Sequence, residues 1–207
     1  MKPARDAALD AFIGLIADRG FAEVTLHDVA EAAGSSLADL YRLYPDKVAL
    51  VGAFMARIDG QVLAGTPSRR DPDETARDRL FDTMMRRYDA LRPYREALAA
   101  IRRAATRDPV LTLAIGPALR RSMATMLEAA SVPSEGLTGA LRQNGLLAIH
   151  YAVSRVYDKD ETGDLSKTMA ALDNRLKMAE RWAQLFDKYV KFSDSRVLPT
   201  GPNSPAA

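Results

Sequence analysis

Thr25-Leu26-His27-Asp28-Val29-Ala30-Glu31-Ala32-Ala33-Gly34-Ser35-Ser36-Leu37-Ala38-Asp39-Leu40-Tyr41-Arg42-Leu43-Tyr44-Pro45-Asp46-Lys47 holds two short helices and a tight turn. Thr25 is a good N-cap, Asp28 and Glu31 fall early in the first helix where its macrodipole favours acids, and Val29 and Ala32 face inward. Ala33-Gly34 ends that helix. Ser35 or Ser36 can cap the next one, which carries Leu37, Leu40 and Tyr41. It stops before Pro45, because proline drives the residue ahead of it into an extended conformation. The pattern is a helix-turn-helix.

Upstream, Leu9, Phe12, Ile13 and Ile16 share one face of a helix that ends at Gly20, and Phe21 and Val24 lead into Thr25. Downstream, Asp46 opens a helix with Leu50, Val51, Phe54, Met55, Ile58 and Val62 as its apolar stripe. The run Gly65-Thr66-Pro67-Ser68-Arg69-Arg70-Asp71-Pro72 is a linker. Helical spacing resumes near 73–91, 93–107, 109–130, 135–158 and 165–192, and Gly116-Pro117 should kink or split the third of these. No alternation of period two is sustained anywhere. The spacing therefore predicts an all-α fold of about nine helices: a helix-turn-helix domain over 1–45, a helical body over 46–192, and a disordered tail over 193–207, where Pro199, Pro202 and Pro205 lie among small polar residues.

The 207 residues are 47% hydrophobic and 27% charged, the balance of a soluble globular chain, with no cysteine for a disulfide, a thiolate ligand or a thiol nucleophile. No apolar run approaches the roughly 18 residues that span a bilayer. The start lacks the apolar core of a secretory signal, so the expected address is the cytoplasm. The formal charge of +2 conceals an asymmetry: residues 1–60 carry six bases and nine acids, while residues 61–207 carry 23 bases and 18 acids. Metal and nucleotide patterns fail on spacing. Asp158, Asp160, Thr162 and Gly163 imitate half of a calcium loop, but Met169 stands at its twelfth position. Gly163-Asp164-Leu165-Ser166-Lys167-Thr168 lacks the Gly-Lys step of a phosphate loop, and two distant histidines make no zinc site. With no nucleophile and base paired in sequence, the expectation is a non-enzyme without metal or cofactor.

In its combined spacing, Thr25, Val29-Ala30, Ala33-Gly34, Ser36, Leu40-Tyr41, Lys47 and Leu50, within residues 8–58, resembles the head of the TetR family of transcriptional regulators. The resemblance implies double-stranded DNA as partner, with the second short helix entering a major groove about 12 Å wide. It implies DNA contacts from Thr25, Ser35, Ser36, Leu37, Ala38, Asp39, Tyr41, Arg42 and Lys47. Thr25 and Ser36 would offer hydroxyls and helix-terminal amides to phosphate, Tyr41 a phenol, Lys47 an ammonium, and Arg42 a reach to a phosphate or a guanine edge. Thr25 and Ser36 are equally ordinary N-caps, and Tyr41 can equally pack between helices. Asp39, Leu37 and Leu43 depart from the family pattern. Together with the head's excess of acids they predict weak or selective DNA binding.

For the body, the resemblance implies dimerisation through the last two helices and a small-molecule pocket. Small residues lie along the penultimate helix (Gly139, Ala140, Gly145, Ala148, Ala152) and the last (Ala170, Ala171, Ala179, Ala183), and Gly145, Ala148, Ala152, Ala179 and Ala183 are the expected homodimer contacts. Met84, Met85, Tyr88, Tyr94, Leu98, Met123, Met126 and Tyr151 can line a pocket for an apolar or amphipathic ligand, or form plain core. His150 is expected as a hydrogen-bonded core or interface residue and His27 as a surface residue. The stretch around Tyr157–Leu176 loosely resembles TetR-fold proteins of ubiquinone biosynthesis that bind lipid. That leaves open a ligand-binding protein without DNA binding.

Overall fold

The computed structural model describes residues 2–67, 69, 71 and 73–194, with side chains described from residue 4 to residue 182 apart from positions 68, 70 and 72. Among the described residues there are nine α-helices and no strand: α1 (Lys2–Arg19), α2 (Leu26–Ala32), α3 (Leu37–Leu43), α4 (Lys47–Ala64), α5 (Ala76–Leu91), α6 (Arg95–Arg107), α7 (Pro109–Ala129), α8 (Gly136–Tyr157) and α9 (Ser166–Asp194). A 3-10 turn, Arg92–Tyr94, with Pro93 inside it, joins α5 to α6, so α6 starts two residues later than the sequence suggests. Ser193 and Asp194 belong to α9, and the remainder of the expected tail, 195–207, lies outside the described residues.

Local chemistry sets most helix ends. Thr25 and Asp28 form a capping box on α2, and Thr75 and Asp78 form another on α5. Gly34 takes φ +63, which lets the Gly34 and Ser35 amides reach back to the carbonyls of Glu31 and Ala30. Asp108 caps α7, accepting from the amides of Val110 and Leu111 at 2.9 and 3.1 Å, and Pro109 occupies the first helical position, where its missing N–H costs nothing. Of the expected kink or split at Gly116-Pro117, the split does not occur: α7 is one helix with Pro117 inside it. Pro117 and Leu113 both face solvent, so water can take the carbonyl that proline leaves unbonded.

One buried apolar cluster runs from Ala8 to Leu176 and includes side chains of α1, α4, α5, α6, α7, α8 and α9. Helix α1 packs on α6, and α4 packs on α7 and α5, so the first and fourth helices join the front of the chain to its body. A polar pin crosses this core. Arg87 of α5 is fully buried and pairs with Asp59 of α4, which also accepts from the Ser122 hydroxyl of α7 at 2.6 Å. Arg57 ties α4 to Asp6 and Asp10 of α1.

Candidate functional site

Helix α3 is the part of the front domain built most clearly for contact. Leu40 is buried, and Leu43 and Tyr44, three and four residues on, turn inward beside it. Leu43, one of the three departures from the family pattern, is therefore half-buried against the core. The opposite edge presents Ser36, Leu37, Ala38, Asp39, Tyr41 and Arg42 to solvent. Tyr41 is 60% exposed and Leu37 44%, so neither side chain serves the core. Ser35 is half-buried and Ser36 is the cap, accepting from the Asp39 amide at 3.1 Å.

Asp39 does not stand alone on this surface. Its Oδ2 accepts from the Ser36 hydroxyl at 2.6 Å and its Oδ1 pairs with Arg42. Both partners of that pair are more than half exposed, so the ion pair holds little energy and exchanges readily for another anion. Arg42 also donates to the Ala38 carbonyl at 3.4 Å. At the front of α2, the Thr25 hydroxyl donates to Asp28 at 2.6 Å and the Thr25 amide donates to the same oxygen at 2.7 Å. These bonds, with Arg19 at 3.3 Å, hold the Asp28 carboxyl down at about 2.

Lys47 is also tied into the front of the chain. Its ammonium donates to the carbonyls of Phe21 and Val24 at 2.7 and 2.8 Å and rests 4.5 Å from the centre of the Phe21 ring. Burial lowers its pKa, partly offset by Glu23. Two of its three N–H groups are thus spent on fixing the turn between α1 and α2. His27 is exposed.

In the body, Met84, Tyr88, Leu98, Met123 and Met126 are buried and Met85 and Tyr94 half-buried, all within the central core or packed against it, while Tyr151 is 40% exposed. His150 is buried, its Nδ1 3.1 Å from the Tyr88 hydroxyl. Burial, with Arg87 and Arg102 nearby, pushes its pKa down to about 3, so it is neutral at ordinary pH. The Tyr157 hydroxyl donates to the Tyr88 carbonyl at 3.1 Å, and Arg95 lies over the Tyr157 ring. The Arg87–Asp59 pin was missed from sequence, although Asp59 interrupting the apolar stripe of α4 was a usable signal.

Gly145, Ala148 and Ala179 lie on exposed faces of α8 and α9, and Ala152 is half-buried. The side chain of Ala183 lies outside the described residues. Leu137, Leu141 and Tyr151 share the open side of α8, and Met178 and Trp182 are exposed on α9. Gly139 instead faces inward, where a Cβ would meet the Ser134 backbone at 2.1 Å. Asp158 pairs with Arg102, and Asp160 is bound by the hydroxyls and amides of Thr162 and Thr168. Burial raises the Asp160 pKa, but those bonds outweigh it and the carboxyl sits well below its usual range.

Residues 8–54 match the family described as bacterial regulatory proteins, tetR family. Over the whole fold, the chain is similar to the crystal structure of a TetR transcriptional regulator from Nitrosomonas europaea ATCC 19718, with a TM-score of 0.68 and 24% identity over 86% of this chain and 98% of that one. It is likewise similar to a TetR transcriptional regulator from Rhodococcus sp. RHA1, with a TM-score of 0.61 and 23% identity over 84% of this chain and 96% of that one. No curated protein sequence matches it. No helix among the described residues is long and apolar enough to cross a membrane.

Proposed function

We propose that this chain, whose residues 8–54 form a TetR-family head on a body with the fold of TetR regulators, is a homodimeric transcriptional regulator that binds operator DNA through α3 and answers to a small ligand in its body. The observation that carries the reading is the two-sidedness of α3. Leu40, Leu43 and Tyr44 anchor one edge, and the other holds Tyr41, Leu37 and Ala38 in the open beside Arg42, whose side-chain partners, Asp39 and the Ala38 carbonyl, lie on α3 itself. Such an edge can enter a major groove while the capped start of α3 meets the backbone.

The head's surplus of acids stands in the way less than a bare count implies. Asp28, Asp39, Asp6 and Asp10 pair with arginines, Asp59 is buried against Arg87, and Asp46 caps α4 through the Ala49 amide. When α3 approaches DNA, Arg42 can leave Asp39 for a phosphate. Asp39 is then bare in the groove, which penalises every base pair except one offering a cytosine amine. That makes Asp39 a selectivity element. Dimerisation through the exposed faces of α8 and α9 would set the two copies of α3 about 34 Å apart, one turn of duplex. The methionine and tyrosine cluster is closed, so a ligand there enters by rearranging flexible methionines. The reading places the protein in the cytoplasm and asks for no catalysis.

Electrophoretic titration with DNA flanking the protein's own gene, competed by unrelated duplex, tests the proposal. Binding of the flanking DNA that survives a large excess of competitor supports it. A complex that unrelated duplex removes as easily, or none at all, favours a TetR-fold ligand-binding protein without an operator.

A further inference from the structure

A cleft of about 670 Å³ separates the turn between α1 and α2 from α6 and the start of α7. That volume falls within the range of small-molecule sites, roughly 300–1,000 Å³. Its two walls carry exposed side chains of opposite charge, with Glu23 also facing the Lys47 ammonium. On the body wall stand Arg103 and Arg107, one helical turn apart on α6 and both exposed. On the head wall stand Asp18 and Glu23, also exposed. None of these four forms an ion pair among the described residues, although opposite charges share the cleft. The other charges lining it are committed: Arg19 to Asp28 and the Glu23 carbonyl, Lys47 to the carbonyls of Phe21 and Val24, and Asp108 to the amides that open α7. Between the walls the lining is apolar and mostly short, with Ala17, Ala22, Ala100, Ala104, Phe21 and Leu111.

We propose that this cleft binds a small zwitterion with an apolar middle, its anionic end on Arg103 and Arg107 and its cationic end on Asp18 and Glu23. Two guanidiniums a turn apart suit a carboxylate or a phosphate, and two carboxylates opposite suit an ammonium. The alanines leave room for the chain between them. Because one wall belongs to α1 and its following turn and the other to α6 and α7, an occupant fastens the head to the body. The site is separate from the outward edge of α3, and binding to it can be read without DNA.

Isothermal calorimetry with 8-aminooctanoate, octanoate and octylamine as probes tests it on the full chain. The zwitterion is expected to bind at least tenfold more tightly than either singly charged probe. Arg103→Ala with Arg107→Ala should weaken it at least tenfold, and Arg103→Lys with Arg107→Lys, which keeps the charge but loses the guanidinium fork, should weaken it less than the double alanine variant does. All four positions are exposed, and an unchanged melting temperature in each variant separates loss of the site from loss of the fold. No heat with 8-aminooctanoate, equal binding of octylamine, or native affinity in the double alanine variant would overturn the proposal.

Discussion

The Lys47 ammonium spans the chain between α4 and the turn at Phe21 and Val24, and removing it leaves two carbonyls without their donor. Lys47→Ala should therefore cost about 1–3 kcal/mol of folding stability, measured by urea denaturation, and any loss of DNA binding in that variant must be corrected for it. Tyr41→Phe removes only an exposed hydroxyl and should leave stability unchanged. The sequence could not reveal this difference, because the partners of Lys47 lie more than twenty residues away, whereas the caps at Thr25 and Ser36 engage residues three positions on and were legible. His150 yields a second prediction at this scale. It titrates near 6.5 when unfolded and at about 3 when folded, so between those values the unfolded chain binds the extra proton. Stability is complete above pH 6.5 and falls as the solution is acidified, by about 2 kcal/mol between pH 7 and pH 5. Thermal or urea unfolding across that range checks it, and His150→Gln should flatten the slope.

At the scale of the helix, the sequence located almost every element, since caps, glycines and apolar faces act within a turn or two. It allowed a kink or a split in α7, where a proline on the solvent face leaves the helix unsplit, and it gave no direction for Leu43, which the i, i+3, i+4 row with Leu40 and Tyr44 turns inward. It also left open whether the methionines and tyrosines of α5 and α7 were core or pocket, a question that packing alone decides. The helices α4, α5 and α7 are pinned by Arg87, Asp59 and Ser122. Asp59→Ala strands a buried guanidinium and should cost about 3–5 kcal/mol in chemical denaturation. Replacing both partners, Asp59→Leu with Arg87→Met, should recover most of that loss, because the burial penalty disappears with the charge.

For the molecule as a whole, the open face of α8 and α9, with Leu137, Leu141 and Trp182 between 63% and 82% exposed, is the proposed dimer contact. Sedimentation of the native chain should give a dimer, and Leu141→Asp with Ala148→Glu a monomer with intact helical signal; a native monomer at micromolar concentration would remove the two-fold reader. The charge asymmetry legible in composition needed the structure for its meaning, because a count cannot tell a paired acid from a free one. In the proposed function α3 reads DNA with Asp39 restraining it. Fluorescence anisotropy of promoter duplex across several salt concentrations, for the native chain and for Asp39→Ala, tests that claim most directly. The expected result is a logarithm of affinity that falls linearly with the logarithm of salt for both, with Asp39→Ala binding more tightly or with relaxed sequence preference. A flat salt response on every sequence, or an alanine variant no different from the native chain in affinity and preference, would contradict it.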